Sequence, residues 1–105
     1  MKTMVFAIYK PKEGSREELM KILDQHVPTL REYGMVSDRT AYMAQSTDNH
    51  LIEVFEWKSE EAKRAAHEHP AVAAIWEKMF ALCSFAKMND LPESDQEFPN
   101  FELIK

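Results

Sequence analysis

The stretch from Leu51 to Cys83, LIEVFEWKSEEAKRAAHEHPAVAAIWEKMFALC, reads as one strand that runs straight into a pair of helices. From Leu51 to Trp57 the residues fall into two alternating sets. Leu51, Glu53, Phe55 and Trp57 share one face and Ile52, Val54 and Glu56 the other, in a run rich in β-branched and aromatic side chains. Ser59 then starts a helix. Its hydroxyl can accept from the free N–H groups of the first turn, and Glu60 and Glu61 stand where the helix dipole favours negative charge. Pro70 disfavours helical geometry at His69 and suits the first position of a new helix, so the first helix should end near His67. In the second helix Val72, Ile75, Trp76, Met79, Phe80 and Cys83 recur at helical spacing as one apolar stripe.

Upstream, Thr3 to Tyr9 is a continuous apolar run ended by Lys10, Pro11 and Gly14, too short for a helix and best read as a strand buried on both faces. Ser15 with Glu18 makes a capping box, and Leu19, Ile22, Leu23, His26, Val27, Leu30 and Tyr33 trace a helical stripe up to the stop at Gly34. Pro28 lies inside this stripe and predicts a kink or restart around His26 to Thr29. Arg39 to Ser46 is the next strand, and Thr47-Asp48-Asn49-His50 turns it back on the Leu51 strand as a hairpin. With Asp48 and Asn49 as the central pair, Tyr42 faces Phe55, Ala44 faces Glu53 and Thr40 faces Trp57. Tyr42, Glu53, Phe55 and Trp57 then share a face. Ser84 to Met88 is a short last strand, and Phe101 to Ile104 could add an edge strand.

The order strand, helix, strand, strand, split helix, strand folds readily as a ferredoxin-like βαββαβ α+β domain over residues 1–90, with the helices on one face of an antiparallel sheet. Residues 91–105 form a C-terminal arm, in which Leu91, Phe98, Phe101 and Leu103 are expected to pack on this subunit or its partner. The first strand is apolar on both faces, so the uncovered face is expected to meet a second copy and give a dimeric α+β barrel. A chain of 105 residues gains from such burial.

Thirteen basic and 18 acidic side chains leave a formal charge of −5, with no Lys/Arg cluster on one predicted face, which disfavours nucleic acid and anionic membranes. The lone Cys83 excludes an internal disulfide, there is no signal-peptide pattern, and no apolar run is long enough to span a bilayer. A cytoplasmic setting is expected. Gly14 and Gly34 belong to no phosphate-cradling loop.

The VFEW strand end at Val54 to Trp57, the WKSEEA helix entry at Trp57 to Ala62 and the AHEHPAV stretch at Ala66 to Val72 resemble the dimeric α+β barrel group that includes the antibiotic-biosynthesis monooxygenase-like domains. The likeness covers the first 90 or so residues in topology and concentrates, as sequence, in Val54 to Trp76. It implies a homodimer, and either cofactor-free oxygenation of a small aromatic or quinol-type molecule or, as the alternative, a non-catalytic small-molecule-binding or structural homodimer. The haem-degrading branch of the group uses a histidine on the last helix as iron ligand. Here Trp76 stands near that place, and the first strand has no Asn, so no haem is expected. In the cofactor-free oxygenases a strand-end tryptophan and a preceding polar strand residue help to hold the substrate. Trp57 matches the first, and Glu53 occupies the face of the second.

Glu53 sits in the middle of an otherwise apolar strand, where burial would disfavour its charged form and poise it as a general base. A base is what cofactor-free oxygenation needs, because an electron-rich anion can react directly with O₂ inside a dry aromatic pocket. Glu53 or His67 is therefore the candidate catalytic residue, with Tyr42, Phe55, Trp57, His26 and His69 around the substrate. The structural alternatives are an ion pair for Glu53, a surface contact for His67, a capping role for His69 and a satisfied core position for His26. The spacing of His67 and His69 does not place both on one helix face, and no HExxH or nearby Cys completes a metal set.

Overall fold

The computed structural model describes residues 2–104 and forms a five-stranded antiparallel sheet. In chain order the elements are β1 (Thr3–Pro11), α1 (Arg16–Glu32), β2 (Tyr42–Gln45), β3 (Leu51–Trp57), α2 (Glu60–Glu68), α3 (Pro70–Leu82), β4 (Cys83–Phe85) and β5 (Glu102–Leu103). The spatial order β4-β1-β3-β2-β5 is ferredoxin-like with one added edge strand. Two core clusters lie between the sheet and the helices, around Phe55 and Trp57 at one end and around Tyr9 and Leu51 at the other. The strand parity of Leu51 to Trp57 stands as read: Leu51, Glu53, Phe55 and Trp57 are all buried.

Ser59 accepts from the Ala62 amide and His69 from the Ala71 amide, so both later helices start on side-chain caps. Ser15 makes no such bond. Its backbone is helical rather than extended, and the expected capping box is absent. Nor does Pro28 restart α1, which runs unbroken from Arg16 to Glu32. Pro28 lies on the exposed side, where solvent can replace the lost N–H. Gly34 closes the helix at φ 73°, and the Met35 amide reaches back to the Leu30 carbonyl at 2.9 Å.

The hairpin register differs from the expected one by a single residue. Ser46 and His50 close the loop, the Asn49 amide turns back to the Ser46 carbonyl, and Asn49 takes φ 70°. This is a three-residue connection with a left-handed last residue, not a two-residue turn. Tyr42 therefore pairs with Val54, Met43 with Glu53 and Ala44 with Ile52. A one-residue slip moves each β2 side chain to the other face, so Tyr42 is separated from Glu53, Phe55 and Trp57.

The C-terminal arm folds back on its own subunit. Leu91 buries against Ile8, Ala44 and Ile52 on the sheet face away from the helices, Phe101 packs beside them, and β5 extends the sheet next to β2. Phe98 and Leu103, expected to pack, are exposed. Glu93 fastens the arm by accepting from the Ser46 hydroxyl and, at 2.9 Å, from the Thr47 amide. Those two bonds outweigh desolvation and hold its pKa below the ordinary Glu value. A depressed folded-state pKa means that the anchor is fully present above the ordinary Glu range and is lost as pH falls through the folded value. Hydrogen-exchange protection of the Thr47 amide should accordingly drop on acidification before that of the β1 and β3 amides, and should already be low at neutral pH in Glu93→Gln. Full protection in that variant would show that Leu91 holds the arm unaided.

Candidate functional site

Glu53 is 3% exposed at the centre of β3, and among the described residues neither Lys nor Arg pairs with it. Two donors satisfy it instead. Tyr9 lies on the same face, diagonally across the β1–β3 pairing, and its hydroxyl donates to Glu53 Oε1 at 2.8 Å. His26 projects from the buried stripe of α1 and places Nδ1 2.8 Å from the same oxygen. From α3, Trp76 Nε1 approaches His26 Nε2 at 2.8 Å. An indole nitrogen only donates, so Nε2 must carry the lone pair and Nδ1 the proton. The direction of the whole chain follows: Trp76 gives to His26, and His26 and Tyr9 give to Glu53.

Burial, reinforced by the charge of Glu53 and the bond to it, pushes the Tyr9 hydroxyl far above its ordinary pKa. Tyr9 therefore stays a protonated donor at neutral pH and well above it. This donor–acceptor order leaves the imidazole neutral, with Nε2 as its acceptor face. A carboxylate that fixes a histidine tautomer through Nδ1 and leaves Nε2 as the basic atom is the arrangement used in hydrolase triads to prepare a general base.

His26 and Trp76 stand in the wall of a cavity of about 220 Å³ between the sheet and the helices. Val5, Phe55, Trp57 and Met79 supply much of its apolar lining, and Phe80, Phe85 and His67 are exposed at its mouth. The aromatic rings support one another: Phe55 meets His26 edge-on at 5.7 Å and Trp57 at 5.3 Å. A larger groove of about 480 Å³ runs between α1 and α3, bordered by Glu18, Lys21, Gln25 and Lys78. Its lining contains no histidine and no buried polar group, whereas the smaller cavity has the buried His26 and Tyr9 in its wall.

Of the residues singled out in the sequence, Phe55, Trp57, His26 and His67 line this cavity. Glu53 stands behind the wall, in contact with His26 and Tyr9. His67 packs its ring on Trp76 at 4.9 Å and makes no bond to Glu53. His69 is elsewhere, with Nδ1 accepting from the Ala71 amide at 3.1 Å and its ring 4.2 Å from Tyr33. Tyr42 is exposed on the opposite face. Sequence reasoning misses Tyr9 and Trp76 as site residues. Tyr9 is hidden in a continuous apolar run, and Trp76 in a stripe that reads as core. The signal available for Tyr9 is its parity with Val5 and Ala7, which puts its hydroxyl on the face of the lone buried acid of β3. Among the described residues, no group of three or more His, Cys, Asp or Glu side chains is placed to hold a metal ion. Nor is any helix among them long and apolar enough to cross a membrane.

No family model matches the chain. No curated protein matches it by sequence either. Among solved structures it is similar to a point mutant of SnoaB, a cofactor-independent oxygenase from Streptomyces nogalater, with a TM-score of 0.67 and 14% identity over 81% of this chain and 86% of that one. At that identity the likeness establishes the fold. It is the ferredoxin-like α+β fold that the resemblance to the dimeric α+β barrel group implied.

Removing the Tyr9 hydroxyl leaves a buried carboxylate with one donor fewer. Tyr9→Phe should lower the unfolding free energy by about 1–3 kcal/mol in urea titrations, through the desolvation that is no longer compensated. A loss within error would mean that water or backbone takes over the vacated position.

Proposed function

We propose that the protein is a cofactor-independent monooxygenase-like enzyme acting on a small aromatic or quinol-type molecule, with His26 as general base and Glu53 as its positioning partner. The observation that carries this reading is the one-way hydrogen-bond chain from Trp76 through His26 to Glu53, which leaves His26 Nε2 as an acceptor in the wall of an aromatic cavity. The likeness to SnoaB, itself described as a cofactor-independent oxygenase, supports it at the level of scaffold. Residue types and strand parity alone point to Glu53 or His67 as the base. The geometry favours His26 in that role, with His67 meeting the substrate at the mouth.

For a phenol with an unsubstituted para carbon, His26 Nε2 takes the hydroxyl proton, and Glu53 stabilises the imidazolium through Nδ1–H. The aryloxide passes one electron to O₂, and the resulting aryloxyl radical and superoxide join at the para carbon as a peroxide. That peroxide takes the proton from His26. Loss of the para C–H proton then drives O–O cleavage and C=O formation, and the departing hydroxide takes up that proton as water. One phenol and one O₂ give one quinone and one water. The apolar walls contributed by Phe55, Trp57 and Met79 keep bulk water from the anion and the peroxide.

Oxygen-electrode measurements on a panel of small phenols and naphthols test the reading. Uptake should fall by about 100-fold in His26→Gln, the usual scale of a lost general base. Glu53→Gln should lower kcat and shift its pH profile while leaving KM nearly unchanged. If the wild-type protein consumes no oxygen with any of the panel, the oxygenase reading falls and a non-catalytic binding homodimer takes its place.

The working unit in this proposal is a homodimer in the cytoplasm. Beyond the reach of the arm, the sheet face away from the helices exposes Met4, Phe6 and Tyr42 at 64%, 44% and 50%. A patch of large apolar side chains on one sheet face calls for cover, and a second copy presents the same patch. Sedimentation should give a dimer at micromolar concentration, and Phe6→Glu should give a folded monomer. A wild-type monomer under those conditions would remove the homodimer from the proposal.

A further inference from the structure

We infer that the cavity takes a small uncharged hydroxyarene, whose hydroxyl replaces the Trp76 indole as the hydrogen-bond donor to His26 Nε2. This deepens the proposed function and rests on its reading of His26 as the acceptor at the reacting end of the cavity. Size sets the first limit. A volume of about 220 Å³ with an apolar, aromatic lining suits a small flat arene rather than a drug-sized ligand, for which pockets of roughly 300–1,000 Å³ are usual.

Charge sets the second. Among the described residues no Lys or Arg lines the cavity, the Glu53 carboxylate lies directly behind its wall, and the Tyr9 hydroxyl is already committed to that carboxylate. An anionic ligand would lose its hydration with no countercharge and in the field of a buried acid.

The occupied lone pair sets the third. His26 Nε2 is held by Trp76, and a ligand that displaces the indole must bring a donor of its own or leave a buried acceptor unpaired. A hydrocarbon brings none, and neither does a carboxylate. Trp76 is suited to the exchange, being half-buried and resting on the exposed ring of His67 at the mouth. When the indole yields, its N–H turns toward solvent and the ligand hydroxyl receives a base already in the correct tautomer. Trp76 thus guards the base and helps to select the substrate.

Anaerobic titration calorimetry of the full chain with 2-naphthol, naphthalene and 2-naphthoate separates these effects without turnover. At neutral pH, 2-naphthol should bind about tenfold tighter than each of the other two, a difference of about 1.4 kcal/mol. Trp76→Phe keeps an aromatic ring but removes the competing N–H. It should tighten 2-naphthol by about threefold and leave naphthalene unchanged. Naphthoate or naphthalene binding as tightly as naphthol, or none of the three binding, overturns the inference without recourse to any variant. Unchanged naphthol affinity in Trp76→Phe overturns the exchange. Oxygen uptake distinguishes this failure from that of the proposed function. Selective naphthol binding with no uptake by any phenol sinks the oxygenase and keeps the selectivity, whereas uptake with an anionic hydroxynaphthoate sinks the selectivity and keeps the oxygenase.

Discussion

A carboxylate has been placed at the centre of a sheet with no cation paired to it among the described residues, and much of the site follows from satisfying it. Glu53 cannot be left bare there, because an unpaired buried acid costs more than a domain of this size can spare. Two donors therefore converge on one of its oxygens, Tyr9 from the neighbouring strand and His26 from the helix above. Each commitment constrains the next. The hydroxyl of Tyr9 is held protonated, the imidazole must present its protonated nitrogen to the acid, and its other nitrogen is left as an acceptor for Trp76. Three elements of secondary structure besides β3 are thus tied to a single side chain.

The same acid shows how far the sequence could be read. An isolated Glu among Leu51, Phe55 and Trp57 is visible as an anomaly, and strand parity correctly puts it on the buried face. The helix break at Pro70 and the Ser59 cap are equally local, and both are found. Parity cannot say how a loop closes, however. Thr47-Asp48-Asn49-His50 suits a two-residue turn or a three-residue turn with Asn49 left-handed, and the difference of one residue sends Tyr42 to the far side of the sheet. The partners of Glu53 are further out of reach. Tyr9 and His26 are 44 and 27 residues away along the chain, and each looks by itself like a member of an apolar run.

The two faces of the sheet carry different duties because the strands alternate. Odd-numbered residues of β1 and β3 build the cavity and the acid's surroundings under the helices, while even-numbered ones meet the arm and the remaining open area. The arm takes the half of that face around Ile8, Ala44 and Ile52, leaving the half around Met4, Phe6 and Tyr42 uncovered. Its tether is polar and lies at the hairpin turn, where Ser46 and Thr47 reach Glu93. Loosening the arm therefore changes how much apolar surface the far face offers without touching the Tyr9–Glu53–His26 contacts on the near face.

A histidine buried among aromatic rings usually counts as a satisfied core residue, and with the indole in place His26 is one: both ring nitrogens have partners. What separates it from a purely structural histidine is the nature of those partners. The bond to Glu53 is fixed within the core, whereas the bond to Trp76 is made at the cavity wall by a half-buried side chain next to an exposed ring. Exchanging the second for a ligand hydroxyl keeps the number of hydrogen bonds constant and leaves the first intact. The cost of opening the site is then mainly the movement of one indole, which lets the same geometry be stable while Trp76 holds the histidine and basic once a ligand hydroxyl takes its place.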